Sequence, residues 1–151
     1  MPTTRTEPPA ARPRLFVALE LSHEGREALA AWTDRTLGDD PALRFVAADA
    51  LHVTLSFLGS RDASDVDRIA AAALGAALVA ADLHEAEPRP FRPHVTVARV
   101  RRGARAPSGR FPDPPRPELT TTEVVLYRSE LSPGGARYTA LRRVPLDSSG
   151  R

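Results

Sequence analysis

The 151-residue chain contains no cysteine, and although it carries 21 basic residues, none of them is lysine. Without cysteine there is no disulfide framework and no thiolate to hold zinc, and the absence agrees with a reducing compartment. No apolar run approaches the ~18 residues needed to span a membrane; residues 69–81 are shorter and mostly alanine. The opening MPTTRTEPPAARPR has no apolar signal core and reads as a disordered, proline-rich tail, so a cytoplasmic location is expected. A chain of this length buries roughly 68–70% of its unfolded surface, enough for one core without disulfide or metal staples. The expected organisation is a tail over 1–13, one domain over 14–146 and a second tail over 147–151.

Against these absences stands one repetition. His-Val-Thr followed by an aliphatic residue occurs twice, as His52-Val53-Thr54-Leu55 and His94-Val95-Thr96-Val97, and accounts for half of the four histidines. With 11 threonines in the chain, a given histidine has a threonine two places on by chance about 7% of the time, so two matching copies are not noise. Both copies lie in alternating runs, 51–58 and 94–100, that read as β-strands. Alternation sends Leu51, Val53, Leu55 and Phe57 to one face and His52, Thr54 and Ser56 to the other. In the second run Val95 and Val97 face one way, and His94, Thr96 and Ala98 the other.

If the two strands face one groove, two imidazoles and two hydroxyls converge. An imidazole titrates near neutrality, so one can accept a proton from water while the other donates one to a leaving oxygen. The threonine hydroxyls can hold an anionic oxygen. That set suits phosphodiester cleavage without a metal or other cofactor, each proton-transfer group contributing roughly 10²–10⁴-fold. Zinc would require three or four protein ligands, and neither a third histidine at suitable spacing nor a His-Glu-x-x-His is present. His23, at a helix start, and His84, near a helix end, are expected on the solvated surface.

Charge is unevenly spread. Residues 20–87 hold 13 acids and 5 arginines, whereas 89–116 hold 8 arginines and one acid, Asp113. Guanidinium forks bind phosphate bidentately, and Arg99, Arg101, Arg102 and Arg105 follow the second motif directly, placed to steer a phosphate-bearing ligand. A solvated loop accounts for the same cluster.

The element order expected is a strand at 14–20, a helix over 23–37 capped by Ser22 with Leu29 and Trp32 on its buried stripe, and a short strand near 43–47 before the first motif. Asp62 or Ser64 caps the next helix, which runs to about residue 83 with Gly75 as a possible break. Prolines 88, 90 and 93 keep the approach to His94 extended. Residues 103–117 form a loop. Strands at 121–131 and 136–145 close a hairpin through Ser132-Pro133-Gly134-Gly135. The fold class is α+β with mainly antiparallel sheets, and helix followed by His-motif strand in each half suggests two lobes related by a pseudo-twofold.

With these segments in view, the chain resembles the LigT/ThpR group of the 2H phosphoesterases. The likeness rests on LFVAL at 15–19, LHVTLSFLG at 51–59, RPFRPHVTVARV at 89–100 and EVVLYRSELSPGGARYTAL at 123–141, and spans roughly residues 14–146. It implies a bilobal fold with sheets around a central cleft and helices outside, and hydrolysis of RNA 2',3'-cyclic phosphate ends, usually to a 2'-phosphate, with a link to 2'-5' RNA ligation. By the same likeness His52 and His94 are the acid/base pair, Thr54 and Thr96 bind phosphate, and Arg99 matches a phosphate-contacting arginine. Two apolar runs that members carry between the motifs, LGGLGxF-like and VLWLGV-like, are absent here. The first lobe is therefore expected to be truncated.

Three readings stay open on sequence: a cyclic phosphodiesterase acting on RNA ends or cyclic nucleotides, a non-catalytic RNA-end or nucleotide-binding module, and a 2'-5' RNA ligase using the same site. No membrane partner is expected. The chain is expected to be a monomer, or a dimer if a second copy completes the shortened sheet.

Overall fold

The computed structural model describes residues 12–72, 92–116, 122–132 and 135–146. Strand β1 (Arg14–Glu20) carries LFVAL, and Leu15, Phe16, Val17 and Ala18 are all 2% exposed or less. A strand apolar at consecutive positions must be covered on both faces, and β1 accordingly lies inside the sheet. Its neighbours are β3 (His52–Ser60) and β5 (Glu123–Ser132), both antiparallel, and β5 pairs in turn with β6 (Gly135–Pro145) to give the order β3-β1-β5-β6. A second, two-stranded sheet pairs β2 (Leu43–Phe45) with β4 (Ala98–Val100). The sheets meet at an antiparallel bridge between Val53 and Val95. Among the described residues the smaller sheet is the one holding Ala98–Val100, directly after the second motif.

Helix α1 (His23–Leu37) begins as its sequence dictates. Ser22 Oγ accepts from Gly25 N–H at 3.1 Å, and Gly38, at φ 53°, ends the helix with its N–H on Asp34 O. Leu29 packs with Leu21, Leu51 and Val53, and with Val46, Val95 and Val97 around them. The buried stripe takes Thr33 rather than Trp32, which is half-buried; the Thr33 hydroxyl is satisfied by donating to Leu29 O at 2.8 Å. Helix α2 (Val66–Ala71) covers the other core, where Ile69 and Ala70 meet Leu15, Val17, Leu58, Val124 and Leu126.

Three expectations are corrected. The second motif is not a regular strand throughout: only Ala98–Val100 has strand geometry, and Val95 contributes a single bridge, because Pro93 lacks the N–H a ladder needs at its approach. Asp62 and Ser64 do not cap the next helix by side chain. A 3-10 turn, Ala63–Asp65, leads into α2 through Asp65 N–H on Asp62 O, and the Asp62 carboxylate is taken by the Arg12 fork at 2.9 and 2.6 Å. Strict alternation in β3 also fails. Pairing of Ala18 with Thr54 and of Val17 with Ser56 leaves Leu55 as an extra residue, which reverses the facing of the residues after it. Phe57 thus turns to the face of His52, 63% exposed with its ring 5.9 Å from Phe16, while Ser56 Oγ is buried without a partner among the described residues. The expected helix beyond residue 72, with Gly75 and His84, and the expected truncation fall largely on 73–91, outside the described residues.

Candidate active site

The bridge between Val53 and Val95 fixes how the motifs meet. In an antiparallel register each step forward on one chain is a step back on the other, so His52 stands opposite Thr96 and Thr54 opposite His94. Opposed residues have Cβ atoms ~4.5–5.5 Å apart and diagonal ones ~7–8 Å, and the histidines form the diagonal. Val53, Val95 and Val97 all turn into the core beneath α1, which leaves the histidines and threonines on the other face. One phosphate with its flanking oxygens asks for ring nitrogens roughly 5–8 Å apart, and His94 lies close enough to His52 for its charge to lower the His52 pKa.

Both imidazoles are tethered alike. His52 Nδ1 lies 2.7 Å from Ala50 O and His94 Nδ1 2.9 Å from Arg92 O, each two residues back. A carbonyl only accepts, so Nδ1 carries the proton in both rings and Nε2 is left for a substrate. The surroundings differ. His94 is exposed, whereas His52 is half-buried against Phe16 (ring centroids 5.0 Å) and Tyr138 (5.2 Å, edge-on), with Tyr127 at 6.1 Å. Burial pushes the His52 pKa below the usual histidine value; the Ala50 hydrogen bond opposes this, and the charges of Arg99 and His94 add to the lowering.

Behind the rings sits an ionic clasp. Tyr127 donates its hydroxyl to Glu20, and Arg143 forks the same carboxylate at 2.9 and 3.1 Å, with Arg26 at 3.8 Å. The Arg143 hydrogen bonds hold Glu20 below the usual carboxylate range, against partial burial and helped by Tyr127. Burial, with the Glu20 hydrogen bond, raises the Tyr127 phenol well above its ordinary value.

A cavity of about 420 Å³ opens beside His52. Ser132 and residues 135–138 line it together with Ala47 and residues 49–51, so the cavity extends from His52 toward β5 and β6, away from the side on which the second motif pairs. Of the five expected site residues only His52 lines it.

Arg99 is exposed on β4, directly opposite Arg44 on β2. Like charges facing across a ladder repel, and an anion between them relieves the cost. Arg101 is engaged elsewhere, since its Nε donates to Leu43 O at 3.0 Å and ties β4 to β2. Arg102 and Arg105 are exposed on the loop after β4, and His23 is a surface residue 3.2 Å from Glu27. Sequence reasoning missed Phe16, Tyr127, Tyr138, Glu20 and Arg44. The two tyrosines lie in the hairpin segment on which the family likeness rests, the one local signal available for them.

No family model matches the chain, and no curated protein does. Solved structures do. A phosphoesterase superposes with TM-score 0.67 at 25% identity, over 89% of this chain and 98% of its own. E. coli LigT complexed with 3'-AMP gives 0.64 at 26%, over 89% and 98%, and a protein of Thermus thermophilus gives 0.63 at 25%, over 91% and 100%. The likeness runs through nearly the whole of each neighbour, and on that fold the chain is LigT-like, similar to the 2H phosphoesterases.

Proposed function

We propose that the chain hydrolyses 2',3'-cyclic phosphate at RNA ends to a 2'-phosphomonoester. The observation that carries the proposal is the antiparallel bridge between Val53 and Val95, which sets the two His-x-Thr motifs face to face. Water attacks phosphorus as one imidazole takes its proton; the bond from phosphorus to O3' breaks, and the other imidazole protonates O3'. In the free protein His52 is biased to its neutral form, ready to accept a proton. Thr54, Thr96 and Arg99 hold the non-bridging oxygens, where charge grows in the transition state. Nucleotide ligands of a neighbour support the substrate class, since E. coli LigT has been crystallised with 3'-AMP, ATP and NADP+.

Phosphorus NMR of an RNA oligomer with a cyclic phosphate end, before and after incubation, tests this; a 2'-phosphomonoester is expected, and a 3'-phosphate or unchanged substrate refutes it. One observation favours a second reading, a nucleotide-binding module that does not turn over: His94 sits on an exposed segment tied to β3 by one bridge. Binding of the cyclic end without product supports that reading. A 2'-5' ligase would run the same proton transfers in reverse, and joined product from a 5'-hydroxyl acceptor identifies it.

A further inference from the structure

The cavity beside His52 takes no part in the proton transfers, yet two charged side chains line it. Asp49, on the turn before β3, and Arg137, on the hairpin tip, make no hydrogen bond or ion pair with any described residue, nor with each other. A carboxylate and a guanidinium sharing one cavity without pairing are set to be bridged by a group that offers donors on one side and acceptors on another. Tyr127 and Tyr138 supply aromatic wall, and rings of this kind are stacking surfaces for bases. At about 420 Å³ the space lies within the ~300–1,000 Å³ typical of small-ligand pockets.

We propose that this cavity receives the base of the nucleotide bearing the cyclic phosphate and selects guanine, with Asp49 accepting from N1–H and the N2 amino group and Arg137 donating to O6 and N7. Guanine alone among the four bases presents two adjacent N–H donors on one edge and the O6/N7 acceptor pair beside it. Adenine and cytosine offer the carboxylate one amino group, and uracil one ring N–H. His52 belongs both to the cavity wall and to the face shared with His94, so a phosphate held on its Nε2 places the attached nucleoside at the cavity mouth. The assignment rests on the phosphodiesterase reading.

The test is kcat/KM for 2',3'-cyclic GMP, AMP, CMP and UMP with the wild type, Asp49→Ala and Arg137→Gln; Asp49 and Arg137 are exposed, so folding is not at stake. The guanosine substrate is expected to lead by about tenfold or more. Asp49→Ala removes the guanosine lead, because guanine loses two hydrogen bonds where each other base loses at most one, and Arg137→Gln narrows the lead. Four substrates within twofold of one another, or a lead that survives Asp49→Ala, overturns the proposal. If no cyclic nucleotide is turned over, the base site is read apart from catalysis by calorimetric titration with 2'-GMP and 2'-AMP. Guanylate binding about tenfold tighter, lost in Asp49→Ala, keeps the guanine site; equal or absent binding removes it.

Discussion

Replacing Phe16 by alanine separates the role of the aromatic cluster in stability from its role in catalysis. The Phe16 side chain is 2% exposed, and its ring meets His52 at 5.0 Å, Tyr138 at 5.1 Å, Tyr127 at 5.2 Å and Phe57 at 5.9 Å. Phe→Ala in a packed core costs roughly 3–5 kcal/mol, and the site is partly open toward the exposed Phe57, which allows some collapse and favours the lower end. For a domain of this size ~1 kcal/mol moves Tm by about 3 °C, so a fall of roughly 10 °C is expected. Against a total stability of ~5–15 kcal/mol the variant stays folded at 25 °C. Catalysis should fall further than stability alone dictates: the His52 ring loses its closest ring partner, and a shift of ~1 Å costs about 10²-fold. Burial is the main cause of the lowered His52 pKa, so opening the site moves that pKa up toward the usual histidine value. Melting by circular dichroism, kcat/KM at 25 °C and proton NMR titration of the His52 ring measure the three effects. A folded variant with wild-type kcat/KM and an unmoved His52 titration would show that Phe16 is core only and refute its part in positioning the imidazole.

Other perturbations have different signatures. Arg99→Gln removes one of the charges that lower the His52 pKa, so the His52 titration is expected to move up and, on the proposed phosphate contact, KM to rise about tenfold; an unchanged titration and KM would place Arg99 outside the site. Glu20 has a folded-state pKa below its unfolded one, so its contribution to stability is present above the unfolded value and lost as pH falls through the folded value. Glu20→Gln should therefore destabilise by roughly 2 kcal/mol at neutral pH and converge with wild type in acid, whereas parallel curves at every pH would contradict the clasp. Ser22→Ala deletes the α1 cap and costs ~1 kcal/mol with activity intact, measured by urea unfolding. Ser56→Ala has the opposite expectation, neutral or stabilising, because its hydroxyl is buried without a partner among the described residues; a loss above ~1 kcal/mol would mean the hydroxyl is satisfied.

What could be read in advance was local. LFVAL at 15–19 announces a strand, Ser22 a capped helix, and the alternating runs around Ser132 a hairpin, and each sits where its pattern places it. Val53, Val95 and Val97 followed the alternation that turns the His-x-Thr positions outward. Phe57 did not, because the bulge at Leu55 is set by pairing with β1, which alternation within β3 does not contain. Capping by Asp62 was lost to Arg12, a competitor 50 residues away. The aromatic cage was invisible for the same reason: Phe16, His52, Tyr127 and Tyr138 come from four strands, and only the sheet order brings the rings together. The clasp joining Glu20 to Arg143 spans 123 positions of sequence.

The most direct measurement of the central claim is turnover, with a chelator present, of an RNA oligomer ending in a 2',3'-cyclic phosphate by the wild type, His52→Ala and His94→Ala. The account predicts a 2'-phosphate product from the wild type and a fall of roughly 10²–10⁴-fold in each variant. A folded wild type that releases no product, or either variant turning over at the wild-type rate, would contradict it.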